Sequence, residues 1–328
     1  GSPFSAPILW LGRALGSAFP SPNAPREYEN SRVSLGLNGT LSNGFDWDVH
    51  YTVSEQDSYY FQPDTSTSRF DAAVNGAGGA TGTESWNLFD PSANSAALIA
   101  YISSGEERNL FADLSVMDVL FTGTTKNNVD IATGFQWKKE GFEITRNDES
   151  KAVFDADGNI VQQSDLIFLG GGLENKDSRD SKAMFVEASK DMSDKLQLKG
   201  ALRFENLESD QTWNPKFSMR YAMSDDLILR GSYSTSFREA SISQLSSSLV
   251  ALEGLQDFNV DGTRNGGTAF VRVAVANNPS LVPETSDNMN FGAIWTPNDQ
   301  TSITVDYWDI AYENIITKES AQGKIIAN

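Results

Sequence analysis

The chain has 328 residues, of which 39% are hydrophobic, and its formal net charge is −19 with a pI near 4.4. So acidic a chain offers no basic stripe for a phosphate backbone, and we expect no nucleic-acid partner. It contains no cysteine, which excludes disulfides, thiolate metal sites and cysteine nucleophiles. The one histidine, His50, lies in an alternating run, so we expect a strand residue, no enzyme activity and no cofactor.

In chain order, apolar and polar residues begin to alternate in SRVSLGL (31–37) and in FDWDVHYTV (45–53). A period of two predicts strands with a different solvent on each face. No run of about 18 apolar residues is present, which excludes a membrane-spanning helix. The same alternation predicts eight further strands, in LFADLSVMDVLF (110–121), VDIATGFQW (129–137), KAMFVEAS (182–189), KLQLKGALRFE (195–205), PKFSMRYAM (215–223), DDLILRGSYSTSF (225–237), MNFGAIW (289–295) and TSITVDYWD (301–309).

The connections alternate in length along the chain. Short, turn-rich segments such as NGTLSNG (38–44) alternate with long connections, predicted at 54–108, 146–181, 207–214 and 238–286. In an up-and-down meander every second connection lies on the same rim, so one rim has tight turns and the other long loops. This layout predicts an all-β, antiparallel, transmembrane β-barrel segment of about ten or more strands, with long extracellular loops and short periplasmic turns.

The two faces of the predicted strands differ in chemistry. We expect one set to face lipid, namely Leu227, Leu229, Tyr233, Phe217, Met219, Ile303, Val305 and Tyr307. We expect the other set to face a lumen or a domain inside it, namely Lys199, Arg203, Glu205, Lys216, Arg220, Arg230 and Asp306. In the strand that begins at 129, the apolar positions change from odd to even numbers, which predicts a β-bulge near 138–141.

One connection carries a string that is typical of calcium loops. DFNVDG (257–262) offers Asp257, Asn259 and Asp261, but Thr268 stands where the twelfth, bidentate glutamate is needed. This is a weak metal candidate, and a plain turn is the alternative.

Several of these segments resemble the barrel of TonB-dependent receptors. They are DDLILRGSYSTSFREASISQL (225–245), NPSLVPETSDNMNFGAIWTP (278–297) and TSITVDYWDIAYENII (301–316), in the order of the family. The resemblance implies that 1–328 is part of a barrel of twenty-two strands. It also implies that the plug domain, the coupling box and the C-terminal closing strand lie outside this chain.

The sequence departs from the family pattern in two places. The usual FRAPS reads FREAS, with Glu239 and Ala240 at the third and fourth positions. The stretch 69–91 resembles a loop that often carries cysteines, and this chain has none, so hydrogen bonds, packing or an ion must replace a disulfide there.

For function, the resemblance implies energy-coupled uptake of a scarce solute, such as a siderophore, a vitamin or a glycan, across the outer membrane of a Gram-negative bacterium. The implied partners are outer-membrane lipid, the plug domain, the TonB energy-coupling complex and a small solute. Two alternatives remain open from the residues alone. One is a passive porin or adhesin-like barrel, and the other is a soluble carbohydrate-binding β domain.

Overall fold

The computed structural model describes residues 10, 12–16, 19, 22–208 and 210–327. Its strands are β1 Arg26–Thr40, β2 Asp46–Thr65, β3 Ser103–Thr124, β4 Asp130–Arg146, β5 Val153–Phe154, β6 Ile160–Gln162, β7 Asn175–Ser193, β8 Leu196–Asn206, β9 Gln211–Ala222, β10 Leu227–Arg238, β11 Leu249–Leu255, β12 Ala269–Val275, β13 Glu284–Asn298 and β14 Thr301–Glu313. Its α-helices are α1 Thr67–Val74, α2 Ala96–Ile102, α3 Ile242–Ser246 and α4 Ala321–Ala327.

The ten long strands form one antiparallel sheet in the order β1-β2-β3-β4-β7-β8-β9-β10-β13-β14. Each long strand pairs with the next long strand along the chain, so the predicted meander and all ten predicted strands are confirmed. The sheet is open, with β1 and β14 at its edges. The hairpins β5–β6 and β11–β12 form separate two-stranded sheets within long connections. No helix in the described residues is both long and apolar enough to span a membrane.

The two rims differ as the sequence predicts. One rim carries the short turns 41–45, 125–129, 194–195, 223–226 and 299–300. The opposite rim carries three long loops, which we name L1 (66–102), L2 (147–174) and L3 (239–283).

The predicted long connection at 207–214 is wrong. Strand β8 continues to Asn206 and β9 begins at Gln211, so only 207–210 connect them. Leu207 donates its amide to the carbonyl of Asp210 at 2.8 Å, which closes the turn. The largely polar residues 211–214, which the sequence assigned to the connection, belong to β9 and pair with β8. Backbone pairing does not require apolar side chains.

The pairing registers place all apolar faces side by side. Across six neighbouring strands, consecutive partners form one apolar row, which reads Val49, Val119, Phe135, Met184, Phe204 and Trp213. A second apolar row crosses β9, β10, β13 and β14 and reads Tyr221, Leu229, Ala293 and Val305. We name this side the apolar face and the opposite side the polar face.

The predicted bulge near 138–141 is wrong. Strand β4 pairs with β3 and β7 in unbroken register through this region, so Phe142 and Ile144 lie on the polar face together with Gln136. Helix α3 of L3 lies against β4 and β7 on that face. Ile144 is only 7% exposed. The even-numbered apolar residues of β4 are therefore explained by a loop helix that covers the polar face, and not by an extra residue in the strand.

The buried apolar cluster lies in the loops and not against the sheet. It consists of Ala14, Ala73, Trp86, Leu98 and Ile102, which come from the N-terminal segment and from L1. Helices α1 and α2 begin with serine caps, Ser66 and Ser95, whose hydroxyls accept amide hydrogen bonds. This packing occupies the loop in which the family pattern often has cysteines.

We expect Leu98→Ala to loosen L1 without changing the sheet. Leu98 is 2% exposed, and such a truncation costs about 2–5 kcal/mol in a packed cluster. Hydrogen exchange should show faster exchange of the α1 amides, such as that of Phe70, which donates to the Ser66 carbonyl. Val74→Ala, at an exposed position of α1, is the control. Equal effects of the two changes would contradict the assignment of this cluster as the core of the loop.

Candidate functional site

The polar face carries every residue that the sequence assigned to the lumen side. Registers place Lys199, Arg203 and Glu205 of β8, Lys216 and Arg220 of β9, Arg230 of β10 and Asp306 of β14 on this one side. Their contact with a lumen stays a prediction. The residues assigned to lipid, namely Leu227, Leu229, Tyr233, Phe217, Met219, Ile303, Val305 and Tyr307, all lie on the apolar face. Their contact with lipid likewise stays a prediction.

An ion pair on the polar face joins β10 to β14 across the strand between them. The Arg230 Nη2 donates to both carboxylate oxygens of Asp306, at 2.8 and 2.6 Å, and Nε donates to Oδ1 at 3.1 Å. Gly292 of β13 lies between them in register, and a Cβ there would collide with both side chains. The glycine is therefore what allows the two charged groups to meet.

A second network crosses β7 in the same way. Gln136 donates to Asp118 at 2.7 Å and accepts from Arg203 Nη2 at 3.1 Å, and Arg203 also pairs with Glu205. The residue of β7 between Gln136 and Glu205 in register is Ala183, which is 3% exposed. Its small side chain leaves the polar groups room to meet above it.

His50 lies on the polar face of β2, as expected for a strand residue. It pairs with Asp48 at 2.5 Å, and its ring covers Gly36 of β1.

Loop L2 connects to L1 and to the end of β2 through two half-buried carboxylates. Asp165 accepts hydrogen bonds from the Ser66 hydroxyl at 2.5 Å and from the Ser68 amide at 2.7 Å. Asp64, at the end of β2, accepts the amides of Phe168 and Leu169 at 2.9 and 2.7 Å. Four hydrogen bonds to charged acceptors therefore fix L2 against the base of L1.

Loop L2 also connects to L3. Val250 donates its amide to the Gly171 carbonyl at 3.0 Å, and Leu173 donates to the Ser248 carbonyl at the same distance. The glycines at 170–172 allow this approach, because a Cβ at Gly170 would overlap the Val250 carbonyl. We name L1, L2 and L3 together the loop cap.

The departure FREAS has a structural role. Arg179 of β7 pairs with Glu239 at 3.1 Å and with Glu140 at 2.7 Å, and it donates to the Ala240 carbonyl at 2.5 Å. The carboxylate that replaces the usual residue thus anchors the start of L3 to the polar face. At the long-loop end of the sheet, a buried Arg146–Glu106 ion pair joins β4 to β3.

Hydrogen bonding lowers the pKa of the Asp165 carboxyl in L2. Burial raises the pKa of Asp165, but the bonds from Ser66 and Ser68 outweigh it, so the pKa lies below its ordinary value. The carboxylate is therefore the form that holds L1 and L2 together.

The calcium candidate forms a turn in which hydrogen bonds engage both carboxylates. Asp257 accepts from the side chain of Asn265 at 2.8 Å, and Asp261 accepts from the amide and hydroxyl of Thr263. Within the described residues, no group of three or more acidic, histidine or cysteine side chains is placed to hold a metal ion. The calcium site stays a prediction.

The profile of one protein family, "TonB dependent receptor-like, beta-barrel", matches residues 3–326. The chain belongs to the TonB-dependent receptor β-barrel family. The resemblance found in the sequence is thereby confirmed. This family consists of receptors and transporters. No curated protein sequence matches the chain.

Two solved receptors share the fold. A mutant of the ferric enterobactin receptor of Pseudomonas aeruginosa, in complex with enterobactin, is 12% identical with a TM-score of 0.55. The siderophore receptor PirA of Acinetobacter baumannii is 15% identical with a TM-score of 0.56. Each match covers 88% of this chain and 35% of the other, so the chain spans about a third of the length of these receptors.

Sequence reasoning missed the residues that hold the loop cap. Arg179, Asp165 and Arg272 each contact a distant segment, and Arg272 donates to the carbonyls of Ser164 and Leu166. The only sequence signal was the triple glycine at 170–172, which indicates a close backbone approach but not its partner.

We expect Ala183→Leu to destabilise the protein, since a larger side chain would push Gln136 and Arg203 apart. Overpacking of this kind costs about 1–3 kcal/mol. The measurement is the midpoint of denaturant unfolding in detergent micelles. Val186→Leu, on the apolar face of the same strand, is the control and should change little. If both variants unfold alike, the polar network contributes no measurable stability.

We expect the contact between L1 and L2 to depend on pH. Because the pKa of folded Asp165 is lowered, its contribution to the stability of the contact is present above the unfolded pKa of about 4. This contribution is lost as pH falls through the folded pKa. The protection factor of the Ser68 amide in hydrogen exchange should fall in that acid range. In Asp165→Asn this protection factor should be several-fold lower already at neutral pH. Asp157→Asn, in an exposed turn of L2, is the control, and an identical response there would refute the role of Asp165.

Proposed function

We propose that this chain forms part of the wall and the loop cap of an outer-membrane receptor that takes up a scarce solute in an energy-coupled manner. The observation that carries the proposal is the uncovered apolar face. Leu35 of β1 is 70% exposed, Phe291 of β13 59% and Val305 of β14 64%, so the apolar face is exposed at both edges of the sheet. Soluble monomers rarely expose contiguous apolar surface of this extent. Lipid is the partner that such a face would take.

The polar face supports the other half of the proposal. Some of its charges pair across strands, as in the Arg230–Asp306 pair, and charged groups of this kind suit a water-filled interior. The family implies a plug domain inside that interior and a TonB complex that acts on it, and we propose both as partners. We also propose the outer membrane of a Gram-negative bacterium as the location, and 1–328 as a single barrel domain.

The loop cap would recognise the solute. L1, L2 and L3 are joined by hydrogen bonds to Asp165, Asp64 and Gly171, so they present one connected surface above the wall. Siderophores, vitamins and glycans are the solute classes that we propose.

A soluble carbohydrate-binding domain would cover the apolar face with a second layer. In the described residues, the other sheets are the hairpins β5–β6 and β11–β12, and both lie in the loop cap. A passive porin or adhesin-like barrel remains the alternative function. It would share the wall but would not need energy for uptake.

We expect Val305→Arg to reduce insertion into lipid vesicles, because an arginine on a lipid-facing strand costs about 2–4 kcal/mol at the bilayer midplane. The neighbouring change Thr304→Arg, on the polar face of β14, is the matched control and should insert nearly as well as the parent. Insertion is measured by protease protection of the chain in vesicles. A chain that stays monomeric and folded without detergent or lipid would contradict the proposed function.

A further inference from the structure

One cavity on the polar face concentrates cations in an otherwise acidic chain. It has a volume of about 470 Å³ and extends over β7, β8, β9, β10 and β13. Four basic side chains and one carboxylate line it, namely Lys199, Lys216, Arg220, Arg230 and Glu187. In a chain with a net charge of −19, this excess of positive charge is local and does not follow from composition.

Among the described residues, three of the four cations have no hydrogen-bond or ion-pair partner. Arg230 is paired with Asp306, but in the described residues no hydrogen bond or ion pair engages the side chains of Lys199, Lys216 or Arg220. Other cations of the polar face are paired, as Arg203 is with Glu205 and Arg179 is with Glu140. The positive charge in the cavity is therefore not fully balanced by acidic groups of the protein.

The pairing register adds a second argument. Arg220 and Arg230 are direct partners on β9 and β10, so their side chains leave the sheet side by side on the same face. Like charges in directly opposed positions destabilise a sheet. An anion between them would turn this repulsion into attraction. Arg220 can donate two parallel hydrogen bonds to a carboxylate or phosphate, whereas Arg230, whose Nε and Nη2 bind Asp306, would add a single bond from Nη1.

The neutral lining fits a small ligand. Gln197, Ser218, Ser232 and Asn290 bring further polar groups to the same cavity, and its volume falls in the usual range for small-molecule sites. We propose that this cavity binds a small solute that carries two or more carboxylate or phosphate groups. This inference rests on the proposed transport function, because the bound anion would be the solute that is taken up.

The test is calorimetric titration of the chain in neutral detergent micelles with two probes, pyrophosphate and citrate. Binding of either probe at one site per chain supports the proposal, and the stronger probe shows whether phosphate or carboxylate is preferred. Arg220→Gln and Lys216→Gln should each weaken binding about tenfold, because each removes a charged donor. Lys126→Gln is the matched control. It removes the same charge from an exposed turn and should change affinity less than about twofold.

Stability without a ligand gives a readout that a purely structural arginine would not produce. Arg220→Gln should raise the unfolding midpoint in the absence of anion, since it removes a like-charge contact, and should lower it relative to the parent in saturating pyrophosphate. A lower midpoint in both conditions would overturn the proposal.

Three further outcomes are decisive. The proposal fails if neither probe binds, if all three variants weaken binding equally, or if an acidic peptide binds where both small anions do not. Vesicle insertion of the same preparation separates the two proposals. A chain that inserts but binds no anion contradicts the anion site alone, whereas a chain that binds the anion but does not insert contradicts the membrane function alone.

Discussion

The unbroken register of the ten-stranded ladder is the constraint on which the rest depends. Because side chains alternate with a period of two, a slip of one residue would move every apolar side chain of a strand to the other face. The registers show no shift along the body of the sheet, and the irregularities lie at turn ends, between Asp191 and Ser193 and between Trp295 and Asn298. The apolar face, the cavity and the cross-strand networks all follow from this alignment.

Small residues under polar groups recur on the polar face. Gly292 lies between Arg230 and Asp306, and Ala183 lies beneath the bond from Arg203 to Gln136. In each case a side chain reaches over an intervening strand, which would be impossible above a larger residue. The wall is thus braced by polar contacts between strands that are not neighbours, in addition to the backbone ladder. Such contacts suit a sheet on which the part of the chain that the structure describes packs no second apolar layer.

The loop cap supplies what the wall lacks, a packed apolar cluster. Leu98 and Ile102 are buried there, whereas the apolar residues of the sheet are largely exposed. Hydrogen bonds join the three loops. They are accepted by the carboxylates of Asp64 and Asp165 and by the Gly171 carbonyl. Without cysteines, packing and charged hydrogen bonds define the shape of the cap, and this shape determines which groups a solute would meet first.

By itself, the sequence determined the strands, their order and the chemistry of their two faces, because alternation is local and needs no knowledge of partners. It also determined the family. It failed where partners were distant. In β4 the apolar positions change from odd to even numbers, which suggested a bulge. The structure shows instead that α3, in a loop about a hundred residues away, covers Phe142 and Ile144. The roles of Arg179 and Asp165, and the meeting of Arg220 with Arg230, were likewise decided by tertiary structure, since only pairing and loop crossing bring such residues together.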